Sequence, residues 1–133
     1  MILRAAVLSV LATLCAIAQA PGLVPTSDPG VARAALLDKP EVRAIRVELQ
    51  PGATRSMHKH DDVRSHMFMP ITGSLELTIG SAKPIVAVPG QAYYMEKGTL
   101  HGFRNTGSTT AMVFEVFSRD PAPGDLSKLE TKK

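Results

Sequence analysis

Along most of this chain apolar residues recur at every second position, in runs too short for anything but strands. Over residues 41–50, Ile45, Val47 and Leu49 alternate with Arg46, Glu48 and Gln50, and Pro51-Gly52 ends the run. A period of two puts the apolar side chains on one face of a half-buried strand. Leu75, Leu77 and Ile79 repeat the pattern against Ser74, Glu76 and Thr78, bracketed by Gly73 and Gly80. Residues 85–88 (closed by Pro89-Gly90), 92–95 and the more fully apolar 111–118 read as further strands, and 32–37 as a leading strand rather than a helical turn. No long helical repeat occurs from Val31 onward. Short strands punctuated by Gly and Pro predict an all-β chain, a sandwich or barrel of antiparallel strands. Its 133 residues suit one domain. With 44% apolar and 20% charged residues, the disordered, collagen-like and coiled-coil classes are excluded.

The first 20 residues do not belong to that pattern. Arg4 is the only charge before Asp28, and residues 5–18 form an apolar run of h-region length, short of the roughly 20 apolar residues a spanning helix needs. We expect residues 1–18 to be a signal peptide, cleaved after Ala18 or Ala20, which places the mature protein in the periplasm or outside the cell. Cleavage removes Cys15, the only cysteine, so the mature chain has no disulfide even though export permits one. Residues 21–30, rich in Pro and Gly, are expected to be an irregular N-terminal arm. Residues 31–119 would then form the barrel, and residues 120–133 a C-terminal tail that packs over the surface or frays.

Charge says little about partners. Fifteen Lys and Arg face 12 Asp and Glu, the surplus is scattered, and there is no Trp. The chain therefore lacks the basic-aromatic surface of a nucleic-acid binder, and after signal cleavage nothing in it suggests a membrane partner.

The four histidines carry the chemistry. His58 and His60, one residue apart, project from one face of an extended strand, where two imidazoles can take adjacent positions on a metal ion. Gly52 precedes His58 by five intervening residues, and Gly73 follows His66 by six. Downstream, Gly90, five residues, Glu96, Lys97, Gly98, two residues, His101, three residues and Asn105 form a second spaced group. Together these resemble the two sequence motifs of the cupin superfamily, G-x5-H-x-H with a carboxylate and a later Gly, then G-x5-P-x-G-x2-H-x3-N. The resemblance covers residues 52–105 and is similar to small quercetinase-like cupins.

That resemblance implies a cupin-type antiparallel β-barrel, or jelly roll, with His58, His60 and His101 around a divalent metal. His66 stands where most metal-binding cupins have Glu, one residue further on than usual, which predicts a bulge near Arg64-Ser65. Glu96 replaces the usual proline. Four neutral imidazoles would leave a +2 ion uncompensated, a strong Lewis acid favouring an anionic or enolate-like ligand. Should His66 stay off the metal, three His and waters still make an open centre. Imidazole suits Fe, Cu, Ni or Zn, and binding should weaken below roughly pH 6 as the ligands protonate.

Alternation puts Phe68 with His66, and Phe103 and Asn105 with His101, suggesting an apolar pocket for a small-molecule ligand. Tyr94 or Tyr93 would add a phenol; alternation does not choose between them. Glu115, the only charge in the last strand, is read first as an outward ion pair with an Arg, and second as a partner of the site or a general base. Met57, Met67, Met69 and Met95 are read as gap-filling core, with Cu(I) ligation the sharper alternative. The function expected is an exported metal-dependent enzyme, such as a dioxygenase, isomerase or lyase, acting on an enolisable or phenolic small molecule. The competing expectation is a non-catalytic carrier of copper or of a small molecule. A homodimer is a family-level expectation.

Overall fold

The computed structural model describes residues 22–120; the expected signal peptide and all but the first residue of the tail lie outside that range. Ten strands follow in order: β1 (Val24–Pro25), β2 (Val31–Asp38), β3 (Val42–Leu49), β4 (Thr54–His58), β5 (Ser65–Thr72), β6 (Leu75–Ile79), β7 (Ile85–Ala87), β8 (Tyr93–Glu96), β9 (His101–Asn105) and β10 (Ala111–Ser118). No helix occurs among the described residues. All pairings are antiparallel, in a six-stranded sheet of order β1-β2-β3-β10-β5-β8 and a four-stranded sheet of order β4-β9-β6-β7.

The alternation in the sequence becomes the core. Val47 and Leu49 of β3, Phe68 of β5 and Val113 of β10 meet Leu75 and Leu77 of β6 and Phe103 of β9 in one buried cluster drawn from both sheets. The result is a jelly roll: two sheets joined face to face along their inward residues. Directly opposed residues share a face, so register defines inward rows. One row of the larger sheet runs Ile45, Glu115, Phe68, Tyr93; the next runs Arg43, Phe117, His66, Met95. These rows bring charged residues of β3 and β10 to the inner face.

Two motif glycines sit where no other residue fits well. Gly73 has φ +87, and a Cβ there would stand 2.7 Å from the Ala111 Cβ. Gly98, φ +73, donates its N–H to the His60 carbonyl (3.0 Å), and the Thr99 N–H reaches Glu96 O (3.1 Å). The turn thus closes without the missing proline and ties the second motif to the first. Asn105 is also structural. Buried in β9, it donates to Leu49 O (3.0 Å) and Thr109 O (2.8 Å) and accepts from the Gly107 N–H (2.9 Å), clamping the two sheets.

One expectation about backbone shape is corrected. The extra residue before His66 makes no bulge at Arg64-Ser65. It is taken up in the 59–64 loop, which Val63 anchors by burial and the Arg64 N–H by donating to Ser118 O (2.8 Å). The ladder slips instead between Arg55 and His58, between Met112 and Val113, and between Ala35 and Leu37. The described part of the arm, residues 22–30, is held to the barrel at two places. β1 pairs with β2, and buried Asp28 accepts hydrogen bonds from Arg55 and from the Ser56 hydroxyl and N–H.

Candidate metal centre

The four imidazoles gather at one end of the barrel, from both sheets. His58 ends β4, His60 follows it in the loop, His66 is the second residue of β5 and His101 opens β9. Ring centroids of His101 lie 4.4 Å from His58, 5.4 Å from His60 and 4.8 Å from His66; His58 and His60 are 5.0 Å apart. Phe117 of β10 floors the cluster, stacked on His66 at 4.5 Å and 14° and set edge-on to His60 at 4.8 Å.

Backbone carbonyls choose the tautomers. His58 Nδ1 lies 2.7 Å from Ser56 O, and His101 Nδ1 lies 2.9 Å from Thr99 O. A carbonyl only accepts, so each Nδ1 carries the proton and each Nε2 presents a lone pair. The Nε2 atoms of His60 and His101 are buried without a hydrogen-bond partner, as are both ring nitrogens of His66. Buried polar atoms are rarely left unpaired, and imidazole lone pairs converging from three sides are a donor set for a transition metal. Ligand atoms of His58, His60 and His101 all lie within 4.8 Å of one another; so do those of His66, His101 and Glu115. The two triplets share His101, whose only free nitrogen is Nε2, so both cannot be filled at once. The residues present fit a single ion.

Glu115 is the main correction to the sequence reading. It points inward, is 3% exposed, and places Oε1 3.2 Å from His66 Nε2. Burial pushes its carboxyl up, but the His66 contact and the charges of His66, His101 and His58 outweigh this and hold it below the ordinary value. A carboxylate therefore stands beside the centre. The lone +2 charge expected from four imidazoles is partly offset by a residue outside both motifs. Glu115 shares the inward phase of Val113 and Phe117 along β10, a phase fixed by its pairing with Ile45 and Phe68.

The expected ligand-contacting residues are arranged differently. Phe68 and Phe103 share faces with His66 and His101, but they lie fully buried against each other (4.8 Å) in the core and line no cavity at the histidines. Tyr94 is turned outward, 64% exposed. Tyr93 is the inward one, packed on Phe68 at 6.2 Å, with its hydroxyl accepting from the Val88 N–H (2.8 Å). Of the methionines read as core, only Met95 is buried; Met57 and Met67 are exposed. The cavity that reaches the histidines is lined by Arg33, Arg43 and Arg55 together with Ile45, His58, His60, Glu115 and Phe117. Its open space is about 20 Å³, enough for roughly one water.

Burial, reinforced by the charge of His66, pushes His60 down to about 4. Burial also takes His101 down to about 4, against the opposing pull of its bond to Thr99. Both are therefore neutral, and ready to ligate, well below the pH 6 limit expected from free histidine. The unfolded chain binds these protons near pH 6.5 and the folded chain only near 4, so the metal-free protein loses stability as pH falls through that window. For buried His101 alone the loss amounts to about 3 kcal/mol. A thermal melt of chelator-treated protein should show a melting temperature falling steadily from pH 7 to pH 4.5. A flat profile would contradict the assigned burial.

A jelly roll with a converging set of histidines at one end defines a class of small all-β proteins equipped to hold a divalent metal. A cupin-domain family model matches residues 45–117, and the chain belongs to the cupin family. No curated protein matches it in sequence. Among solved structures it is similar to KdgF from Halomonas sp., at 22% identity over 72% of this chain and 86% of that one, with a TM-score of 0.64. It is also similar to an RmlC-like cupin from Shewanella frigidimarina, at 18% identity over 86% and 96% of the two chains and a TM-score of 0.64. A predicted oxalate decarboxylase from Thermotoga maritima gives 23% identity, 75% and 92% coverage, and a TM-score of 0.64. At such identities the likeness is one of fold.

Proposed function

We propose that the protein is a metal-dependent cupin enzyme acting on a small enolisable anion. His58, His60 and His101 would hold a divalent ion of Fe, Cu, Ni or Zn through Nε2, with the His66–Glu115 pair behind it. The observation that carries this reading is the pinning of two imidazoles by backbone carbonyls, which leaves their Nε2 lone pairs aimed inward. Such an ion would supply Lewis acidity, polarising an oxygen of the ligand. The chain's own residues do the rest. Ser56 O and Thr99 O fix the ring orientations, and Phe117 holds His66 and His60 in place. Glu115, kept ionised with Oε1 3.2 Å from His66 Nε2, lines the same cavity and can accept a proton from the ligand as a general base. The narrow cavity favours a compact enolisable ligand over a large phenolic one.

On the residue pattern of positions 1–18 we further propose that this chemistry takes place after export, in the periplasm or outside the cell.

The test is deuterium exchange at the central carbon of acetylacetone, followed by NMR, with oxygen uptake recorded alongside, on protein loaded in turn with each metal. We expect accelerated exchange with at least one metal, slowed about a hundredfold or more by Glu115→Gln at unchanged metal content. Tight metal binding without exchange or oxygen uptake would instead favour a non-catalytic metal carrier.

A further inference from the structure

We propose that Arg43 and Arg33 form a carboxylate-binding pair at the mouth of the histidine centre, so that the ligand is a small organic acid anion. The proposal rests on reading the histidine cluster as the ligand-binding centre and names the chemical class that centre receives.

Arg43 lies on β3 in phase with Ile45, Val47 and Leu49 and therefore faces inward, opposite Phe117 of β10. Its guanidinium carbon sits 4.7 Å from the Phe117 ring centroid, which restrains the plane of the group. Its Nε is buried with no hydrogen-bond partner among the described residues. A guanidinium N–H held in that state lacks an acceptor that something else must supply. Arg33 of β2 is exposed at the rim of the same cavity and forms no ion pair among the described residues.

The nearby acids are already engaged. Asp28 is bound by Arg55 and Ser56. Asp38, the cross-strand neighbour of Arg43, is taken by Arg119 at 2.8 Å. Glu115 lies against His66 at 3.2 Å. Two positive charges are thus left over on the wall of the cavity that His58 and His60 also line. A planar guanidinium presents parallel N–H groups whose spacing matches the two oxygens of a carboxylate. An anion docked there would direct its other oxygens toward the imidazoles. Because the open space holds about one water, the acid must be short, and exposed Arg33 is the group free to move aside and then close over it.

The side-chain Nε–Hε resonances of Arg43 and Arg33 in isotope-labelled protein, followed while pyruvate is added, test this on both the metal-free and the Zn-loaded chain. We expect both resonances to shift saturably. Arg33→Gln and Arg43→Gln should each weaken pyruvate binding about tenfold to a hundredfold while leaving metal content unchanged. Arg33→Gln changes an exposed residue, so its result does not depend on whether the Arg43 variant folds. Acetylacetone, which has no carboxylate, should bind equally well to the wild type and both variants. Pyruvate binding indifferent to both substitutions would overturn the proposal. Sulfate shifting the same resonances as strongly would overturn the carboxylate assignment in favour of a general anion site. Failure of the metal reading would show separately, as a wild-type chain that takes up no metal, and the metal-free titration would still decide the role of the arginines.

Discussion

Replacing His101 with alanine should lower affinity for a divalent transition metal by about a hundredfold or more, beyond the 10–100-fold that changes to mere supporting residues cost. His101 is the one imidazole common to both ligand triplets. It is 1% exposed, its Nδ1 is committed to Thr99 O, and its Nε2 has no other partner. Competition titration against a chromophoric chelator measures the loss directly. The same variant should leave the metal-free fold intact at pH 7, and should make it less acid-sensitive, because one suppressed protonation site disappears with the ring. Weakened metal binding combined with reduced acid sensitivity is a pattern that simple unfolding would not produce.

Phe117→Ala should have the largest effect on stability. The side chain is fully buried between the two sheets, and removing a buried Phe costs about 3–5 kcal/mol. For a chain of this size that corresponds to a melting temperature about 10–20 °C lower. The damage should extend to the site, since Phe117 stacks on His66, braces His60 and carries the Arg43 guanidinium. Metal affinity in the folded fraction should fall with it. Phe117→Leu, which keeps most of the volume but not the flat ring, should recover most of the stability and less of the affinity. A melting temperature unchanged by Phe117→Ala would contradict the packing described.

Much of this architecture was legible in the residue pattern. The alternation of Ile45, Val47 and Leu49, and of Leu75, Leu77 and Ile79, marked strands whose inward faces build the core. His-x-His spacing brought His58 and His60 together, and the glycines at 73 and 98 fell where the backbone turns with positive φ. What stayed hidden depended on register and on depth along the barrel. β10 is apolar on both faces, with Met112, Phe114 and Val116 facing out, so a single Glu could be assigned to either side until its neighbours on β3 and β5 were known. Arg43 was masked in the same way, although it shares the phase of Ile45. Phe68 and Phe103 shared the faces of their histidines, but two residues along a strand is a step of about 7 Å, enough to carry them from the site into the core. The expected bulge failed because a loop absorbs an inserted residue more cheaply than a hydrogen-bonded ladder does.

The central claim is that the converging imidazoles hold one divalent metal, and elemental analysis of the untagged protein tests it most directly. Chelator-stripped protein, reconstituted separately with Fe, Cu, Ni and Zn and desalted, should retain close to one equivalent of at least one of them. Its melting temperature should rise accordingly, since a ligand bound only to the folded state stabilises it. His58→Ala and His101→Ala should retain only trace amounts. A wild-type chain that keeps no stoichiometric metal, with a melting temperature indifferent to all four ions, would contradict the account.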